Sequence, residues 1–324
     1  MGGIVERLTT TFERALAEVE LPQEPKELYD PVRYILSGKG KRVRPTILLL
    51  TAEALQEGAS DVAMPAALGV EVFHTFTLVH DDVMDQADER RGRPTVHVKW
   101  DVNTAILAGD LVHGLSNHLV AQTRTPRLGA VLSYFHEAVV RVCEGQALDA
   151  AFERRGDVTV DEYLTMIQGK TGALLEACLL MGGAIGGATE QQLAMLRDAG
   201  RALGRAFQIQ DDLLDLVATD EHWGKPVGGD LIVGKKTLLL LLALERASGA
   251  DAAFFERIVE RPGLEHDLVS EARHRMERLG VLADVQLRFE QEYSTGLAAL
   301  SGLPSNDSAS ALYLTAERLG NRQS

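Results

Sequence analysis

Apolar residues recur at three- and four-residue spacing from one end of the chain to the other, and strand-like alternation is nearly absent. Short Gly/Pro punctuation at 21–25, 37–40, 92–94 and 224–226 interrupts the pattern. The spacing predicts helices at about 4–19, 26–37, 43–57, 63–88, 101–122, 127–155, 160–184, 189–218, 235–260, 265–300 and 308–320. No low-complexity linker or break in composition divides the chain. A single all-α domain over residues 1–324, with a helical bundle core, is therefore expected.

Composition sharpens this picture. Hydrophobic residues make up 45 %, too many for a disordered chain, while only 10 prolines and 5 % aromatics favour helices. A net charge of −14 argues against nucleic acid, whose phosphates would be repelled. Cys143 and Cys178 lack metal-ligand spacing, so two free thiols in a reducing compartment are expected. The N-terminus has no basic region followed by an apolar core. The longest plain aliphatic run, Leu238 to Leu244, is far shorter than the roughly 18 to 20 residues a bilayer requires. A cytoplasmic protein without a transmembrane segment is the expectation.

The candidate chemistry lies in two copies of Asp-Asp-x-x-Asp, at Asp81-Asp82-Val83-Met84-Asp85 and Asp211-Asp212-Leu213-Leu214-Asp215. With 21 aspartates in 324 residues, one copy is expected by chance only about 0.09 times. On a helix Asp81 and Asp85 share a face that runs back to His74, and Gln208, Asp211, Asp212 and Asp215 form one stripe. The apolar stripe of Leu196, Leu203, Phe207 and Leu214 lies about a quarter turn away. A solvated acidic face is the bland alternative. In a cleft of effective dielectric near 20, two carboxylates about 5 Å apart repel by about 3 kcal/mol, which bound cations would offset. Carboxylates together with phosphate oxygens and water suit Mg²⁺. Basic residues cluster at Lys39-Gly40-Lys41-Arg42-Val43-Arg44, at Arg90-Arg91, at Lys170 and at Lys225 with Lys235.

Taken together these motifs resemble the trans-isoprenyl diphosphate synthases of the polyprenyl synthetase family, short-chain type, from about Leu36 to Glu245. The resemblance rests on His74-Thr75-Phe76-Thr77-Leu78-Val79-His80 before Asp81 and on Arg90-Arg91-Gly92-x-Pro94-Thr95-x-His97. It extends to Lys170-Thr171-Gly172, to Phe207-Gln208-Ile209-Gln210 before Asp211, and to Gly224-Lys225 through Lys235-Lys236-Thr237. The family's first motif often pairs two glycines before Lys-Arg; here Gly38-Lys39-Gly40 separates them. The resemblance implies an isoprenoid synthase-type bundle around a deep central cavity, usually a homodimer. It implies head-to-tail (1′-4) condensation of isopentenyl diphosphate with C5, C10 or C15 allylic diphosphates.

Carried over by motif, Asp81, Asp85 and Asp211 would ligate Mg²⁺, three ions per site with Mn²⁺ a possible substitute. Asp82, Asp212 and Asp215 would act behind them or through water. Arg90, Lys170, Lys225 and Lys235 would hold the allylic diphosphate, and Lys41, Arg44, His74 and Arg91 that of isopentenyl diphosphate. Thr171 and Gln208 would face the allylic cation. His80 and His97 read as structural groups. Product length should depend on the helix leading to the first motif, on Val70, Phe73, Phe76 and Thr77. Phe73, eight residues before Asp81, would form a floor about 12 Å below it. That depth suits C15, whereas Phe76 followed by small Thr77 resembles certain geranylgeranyl diphosphate synthases, so C20 is favoured over C15. Terpene cyclases and squalene-type synthases lack a dedicated isopentenyl site, and a non-catalytic regulatory subunit would have lost site residues. A simple cation buffer would leave the basic groups without purpose.

Overall fold

The computed structural model describes residues 2–218, 227–260 and 263–320. The helical periodicity is realised as α1 (Gly2–Ala17), α2 (Lys26–Leu36), α3 (Val43–Leu55), α4 (Ala59–Met84), α5 (Val96–Lys99), α6 (Val102–Ala121), α7 (Leu128–Phe152) and α8 (Val160–Ile167). A π-helical turn at Gln168–Gly172 leads into α9 (Ala173–Ile185), followed by α10 (Glu190–Val217). Then come α11 (Gly229–Ile232), α12 (Leu238–Arg246), α13 (Ala250–Glu260), α14 (Val269–Arg278), α15 (Val281–Leu300) and α16 (Asp307–Gly320). The fold is all-α. The two strands among the described residues, β1 (Glu89–Arg90) and β2 (Arg93–Pro94), pair antiparallel as a small hairpin.

Two compact units make up the chain. The first comprises residues 1–135, 178–193 and 303–312, the second 136–177, 194–302 and 313–324. In the first unit α4 is the central helix, packed against α3 and α6, with Val70, Val72 and Phe73 fully buried. Gly69 permits the close approach of α6, because a Cβ there would stand 2.3 Å from Val120 Cγ2 and 2.8 Å from the Ser116 carbonyl oxygen. By length and composition α4 is apolar enough to cross a membrane, yet 56 % of that stretch is buried inside the protein, as befits a core helix. In the second unit Tyr163, Ile209, Leu240, Phe255 and Val285 belong to one buried cluster drawn from α8, α10, α12, α13 and α15.

Four expected helices change course. The helix expected at 63–88 ends at Met84, with Gln86 in the left-handed region at φ 52°. The Ala87 N–H bonds to the Asp82 carbonyl and the Gln86 N–H to that of Val83, a Schellman termination without its usual glycine. The segments at 235–260 and 265–300 each divide in two, where Gly249 (φ 56°) and Gly280 (φ 72°) adopt left-handed backbone. Between 160 and 184 the helix widens into the π turn. Cys143 is exposed, Cys178 is buried, and neither forms a disulfide.

Candidate active site

In the first unit the acidic motif occupies the last turn of α4. Asp81 is half-buried, Asp82 buried, and Asp85, the C-cap residue, exposed. The Asp85 N–H donates to the Asp81 carbonyl at 2.8 Å, so the i,i+4 relation of these two residues survives the end of the helix. The chain then turns back as the β1–β2 hairpin through Arg91 (φ 55°) and Gly92 (φ 70°), two consecutive left-handed residues of the kind a tight hairpin requires. That return brings Arg90 Nε to Asp82 Oδ1 at 2.7 Å. Burial pushes the Asp82 carboxyl up from its ordinary value, and Arg90 opposes the shift.

The basic loop before α3 is pinned from below. Arg42 donates to Glu71 Oε1 at 2.6 Å and to the Gly38 carbonyl at 2.8 Å, while Arg91 donates to the Lys39 carbonyl. Lys41 is exposed, and Arg44 Nη1 lies 3.2 Å from His74 Nε2. Burial holds the His74 imidazole well below its ordinary pKa, with Arg44, Arg91, Arg90 and Arg42 adding to the effect. A neutral histidine among four guanidinium groups marks a strongly positive patch, suited to a diphosphate. Arg44, His74 and Arg91 thus share one neighbourhood.

Of the product-length residues, Phe73 is fully buried, edge-on to Phe135 with centroids 5.6 Å apart, and in contact with Phe76 and His113. Phe76 stacks on His113 at 5.0 Å and meets His80 at 4.6 Å. Val70 is buried, and half-buried Thr77 donates its hydroxyl to the His74 carbonyl. His80 and His97 have structural partners, the Ile106 carbonyl at 3.3 Å and the Thr95 hydroxyl at 3.2 Å.

The second unit holds the other motif in the last two turns of α10. Leu196, Leu203 and Leu214 are buried as the stripe required, and Phe207 is half-buried. Asp212 departs from the expected flanking position: it is fully buried, with Oδ2 accepting from the Tyr163 hydroxyl at 2.5 Å and Oδ1 from Gln208 Nε2 at 2.8 Å. Both of its oxygens accept from protein donors, so Asp212 anchors α10 to α8 from inside. Burial, reinforced by Asp230, raises its pKa to about 7. Gln208 Oε1 in turn accepts from the Thr171 hydroxyl at 2.9 Å. Asp215 Oδ2 accepts the Asp230 N–H at 3.0 Å.

The π turn carries Lys170 and Thr171, and glycines let its neighbours close on it. A Cβ on Gly145 would lie 2.1 Å from Lys170 N, and one on Gly204 would lie 2.5 Å from Gly172 Cα. Lys170 Nζ donates to Asp149 Oδ2 at 2.5 Å, and Lys235 Nζ lies 3.7 Å from Asp230 Oδ1. Lys170, Thr171, Gln208, Asp212 and Lys235 line one recess together with Asp149 and Tyr163. Lys225 lies outside the described residues. Sequence reasoning missed Glu71, Asp149, Tyr163 and Asp230, because each finds its partner through the tertiary fold.

Neither acidic motif by itself gathers three metal-ligating side chains among the described residues. Their placement nonetheless fits a hard divalent cation. The first motif ends α4 and the second reaches the last turn of α10 at Asp215; neither last turn carries a basic residue, and the negative end of the helix dipole there disfavours carboxylates. A cation bound by their oxygens would relieve that penalty, and such oxygens are the donors Mg²⁺ prefers.

Comparison with known proteins identifies the family. Residues 25–276 match the family model described as polyprenyl synthetase. The chain is 43 % identical over 258 residues to a short chain isoprenyl diphosphate synthase of Methanothermobacter thermautotrophicus, covering 79 % of this chain and 78 % of that one. It is 41 % identical over 245 residues to a geranylfarnesyl diphosphate synthase of Natronomonas pharaonis, covering 70 % and 72 %. Its fold is similar to the crystal structure of geranylgeranyl pyrophosphate synthetase from Pyrococcus horikoshii, with a TM-score of 0.93, 37 % identity and coverage of 99 % and 98 %.

Proposed function

The chain belongs to the polyprenyl synthetase family and is a short-chain prenyl diphosphate synthase, and we propose that it joins isopentenyl diphosphate head-to-tail to allylic diphosphates with Mg²⁺, favouring the C20 product. The observation that carries this reading is the pair of carboxylate clusters near helix C-termini that lack basic residues. Asp81 and Asp85 of the first motif and Asp211 of the second would hold the metal. Bound Mg²⁺ supplies positive charge to the diphosphate as its bond to the allylic carbon breaks. Arg90, Lys170, Lys225 and Lys235 hold the same leaving group. Because their pull grows as negative charge accumulates, they favour the transition state over the ground state.

Arg44, His74, Arg91 and Lys41 hold isopentenyl diphosphate. Its double bond attacks the allylic cation, and the departing diphosphate takes the proton lost from the new product. Thr171 and Gln208 present oxygen dipoles to the cation, and apolar walls keep out the water that would quench it. Phe73, wedged against Phe135 and His113, limits tail growth, and small Thr77 above it leaves room for the first units. The names of the relatives span C20 and C25 products, which supports a limit above C15.

The exposed apolar residues Val102, Ile106 and Leu107 on α6 support a homodimer. We place the enzyme in the cytoplasm, where its water-soluble diphosphate substrates are accessible. Incubation with isopentenyl diphosphate and C5, C10 or C15 partners, followed by mass measurement, tests the reading. A C20 product dependent on Mg²⁺ supports it; absence of any condensed product from all three partners overturns it.

A further inference from the structure

Tyr163 is fully buried, and its hydroxyl begins a line of hydrogen bonds that ends at Thr171. It donates to Asp212 Oδ2 (2.5 Å); Gln208 Nε2 donates to Asp212 Oδ1 (2.8 Å); Thr171 Oγ1 donates to Gln208 Oε1 (2.9 Å). With Asp212 accepting from both Tyr163 Oη and Gln208 Nε2, the Gln208 amide nitrogen is turned towards Asp212. That leaves the amide oxygen for Thr171, and an amide oxygen cannot donate. The single Thr171 hydrogen is therefore committed to Gln208, and the hydroxyl lone pairs are what remain for the substrate.

We propose that Tyr163 is a positioning residue for the reaction, setting the polarity of Thr171 through Asp212 and Gln208 so that lone pairs rather than a hydroxyl hydrogen meet the allylic cation. The inference rests on the reading of Thr171 given under Proposed function. Without the Tyr163 hydroxyl the carboxylate of Asp212 is free to rotate away from Gln208, and the amide can then reverse. A reversed amide donates to Thr171 Oγ1 and releases the Thr171 hydrogen towards the cation, where its positive end opposes charge development. The capping box formed by Thr159 and Glu162 fixes the start of α8 immediately before Tyr163, so the ring enters the core at a defined angle.

A double-mutant cycle in the full-length enzyme tests this, read as the single-turnover rate of condensation at saturating substrates. Thr171→Ala should slow the reaction by about a hundredfold and Tyr163→Phe by about tenfold, the latter with unchanged KM for both substrates. Tyr163→Phe added to Thr171→Ala should cost nothing further. Equal slowing by Tyr163→Phe in both backgrounds, or no slowing in either, overturns the relay. If Thr171→Ala alone is harmless, the role of Thr171 itself fails, a separate result from failure of the relay. Should Tyr163→Phe not accumulate as folded protein, Asp212→Asn takes its place in the cycle, and independence from Thr171 there also overturns the proposal.

Discussion

The two Asp-Asp-x-x-Asp motifs read alike in the sequence but are anchored differently in the fold. In each, the second aspartate turns inward and is buried. Asp82 is held by a cation, Arg90, delivered by the hairpin that follows α4. Asp212 is held by neutral donors, Tyr163 and Gln208, and its pKa rises to about 7 where Arg90 restrains the shift at Asp82. The first motif ends its helix, so Asp85 is exposed and capped by a left-handed Gln86. The second stays helical through Asp215 to Val217. The two motifs thus share a buried second aspartate, and the surrounding fold decides what holds it.

Replacing the half-buried first carboxylate of either motif should cost most. Asp81→Ala or Asp211→Ala should lower turnover by at least about 10³-fold with little change in melting temperature, measured by product formation with Mg²⁺ present. A variant that kept near wild-type turnover would remove its motif from the metal assignment. Next in size is Phe73→Ala, which should lengthen the product and destabilise the first unit by about 3–5 kcal/mol, read by mass and denaturant titration. An unchanged product would locate the floor elsewhere.

The charged anchoring of the first unit should outweigh the neutral anchoring of the second. Glu71→Ala strands buried Arg42 beneath the basic loop and should cost about 3 kcal/mol. Tyr163→Phe removes one hydrogen bond and should cost about 1–2 kcal/mol. The reverse order would contradict the comparison. The smallest effect concerns pH. Because folding depresses the His74 pKa, the unfolded chain takes up its proton first as pH falls through 6.5. Stability should therefore be complete above 6.5 and decline below it, and His74→Gln should flatten that decline.

The helices were legible because Leu, Ala and Val recur at helical spacing and Gly or Pro separates most segments. Termination at Gln86 was not, because the left-handed residue there is neither Gly nor Asn. Nor was the π turn, which depends on close approach at Gly145 and Gly204 from other helices. The acidic and basic motifs could be read from spacing alone, since their members lie within one or two turns of each other. Tyr163 could not: it stands 49 residues from Asp212, and only packing brings them together. Glu71 looks like any acid on an apolar helix until Arg42, 29 residues earlier in the chain, folds onto it.

The central proposal is that each acidic motif contributes to Mg²⁺-dependent binding of the allylic diphosphate. Its most direct test is calorimetric binding of an unreactive thio-analogue of an allylic diphosphate to wild type, Asp81→Ala and Asp211→Ala, each with and without Mg²⁺. Affinity that requires Mg²⁺ and falls in both variants is the predicted result. Equal binding in metal-free buffer, or a loss confined to one motif, would contradict it.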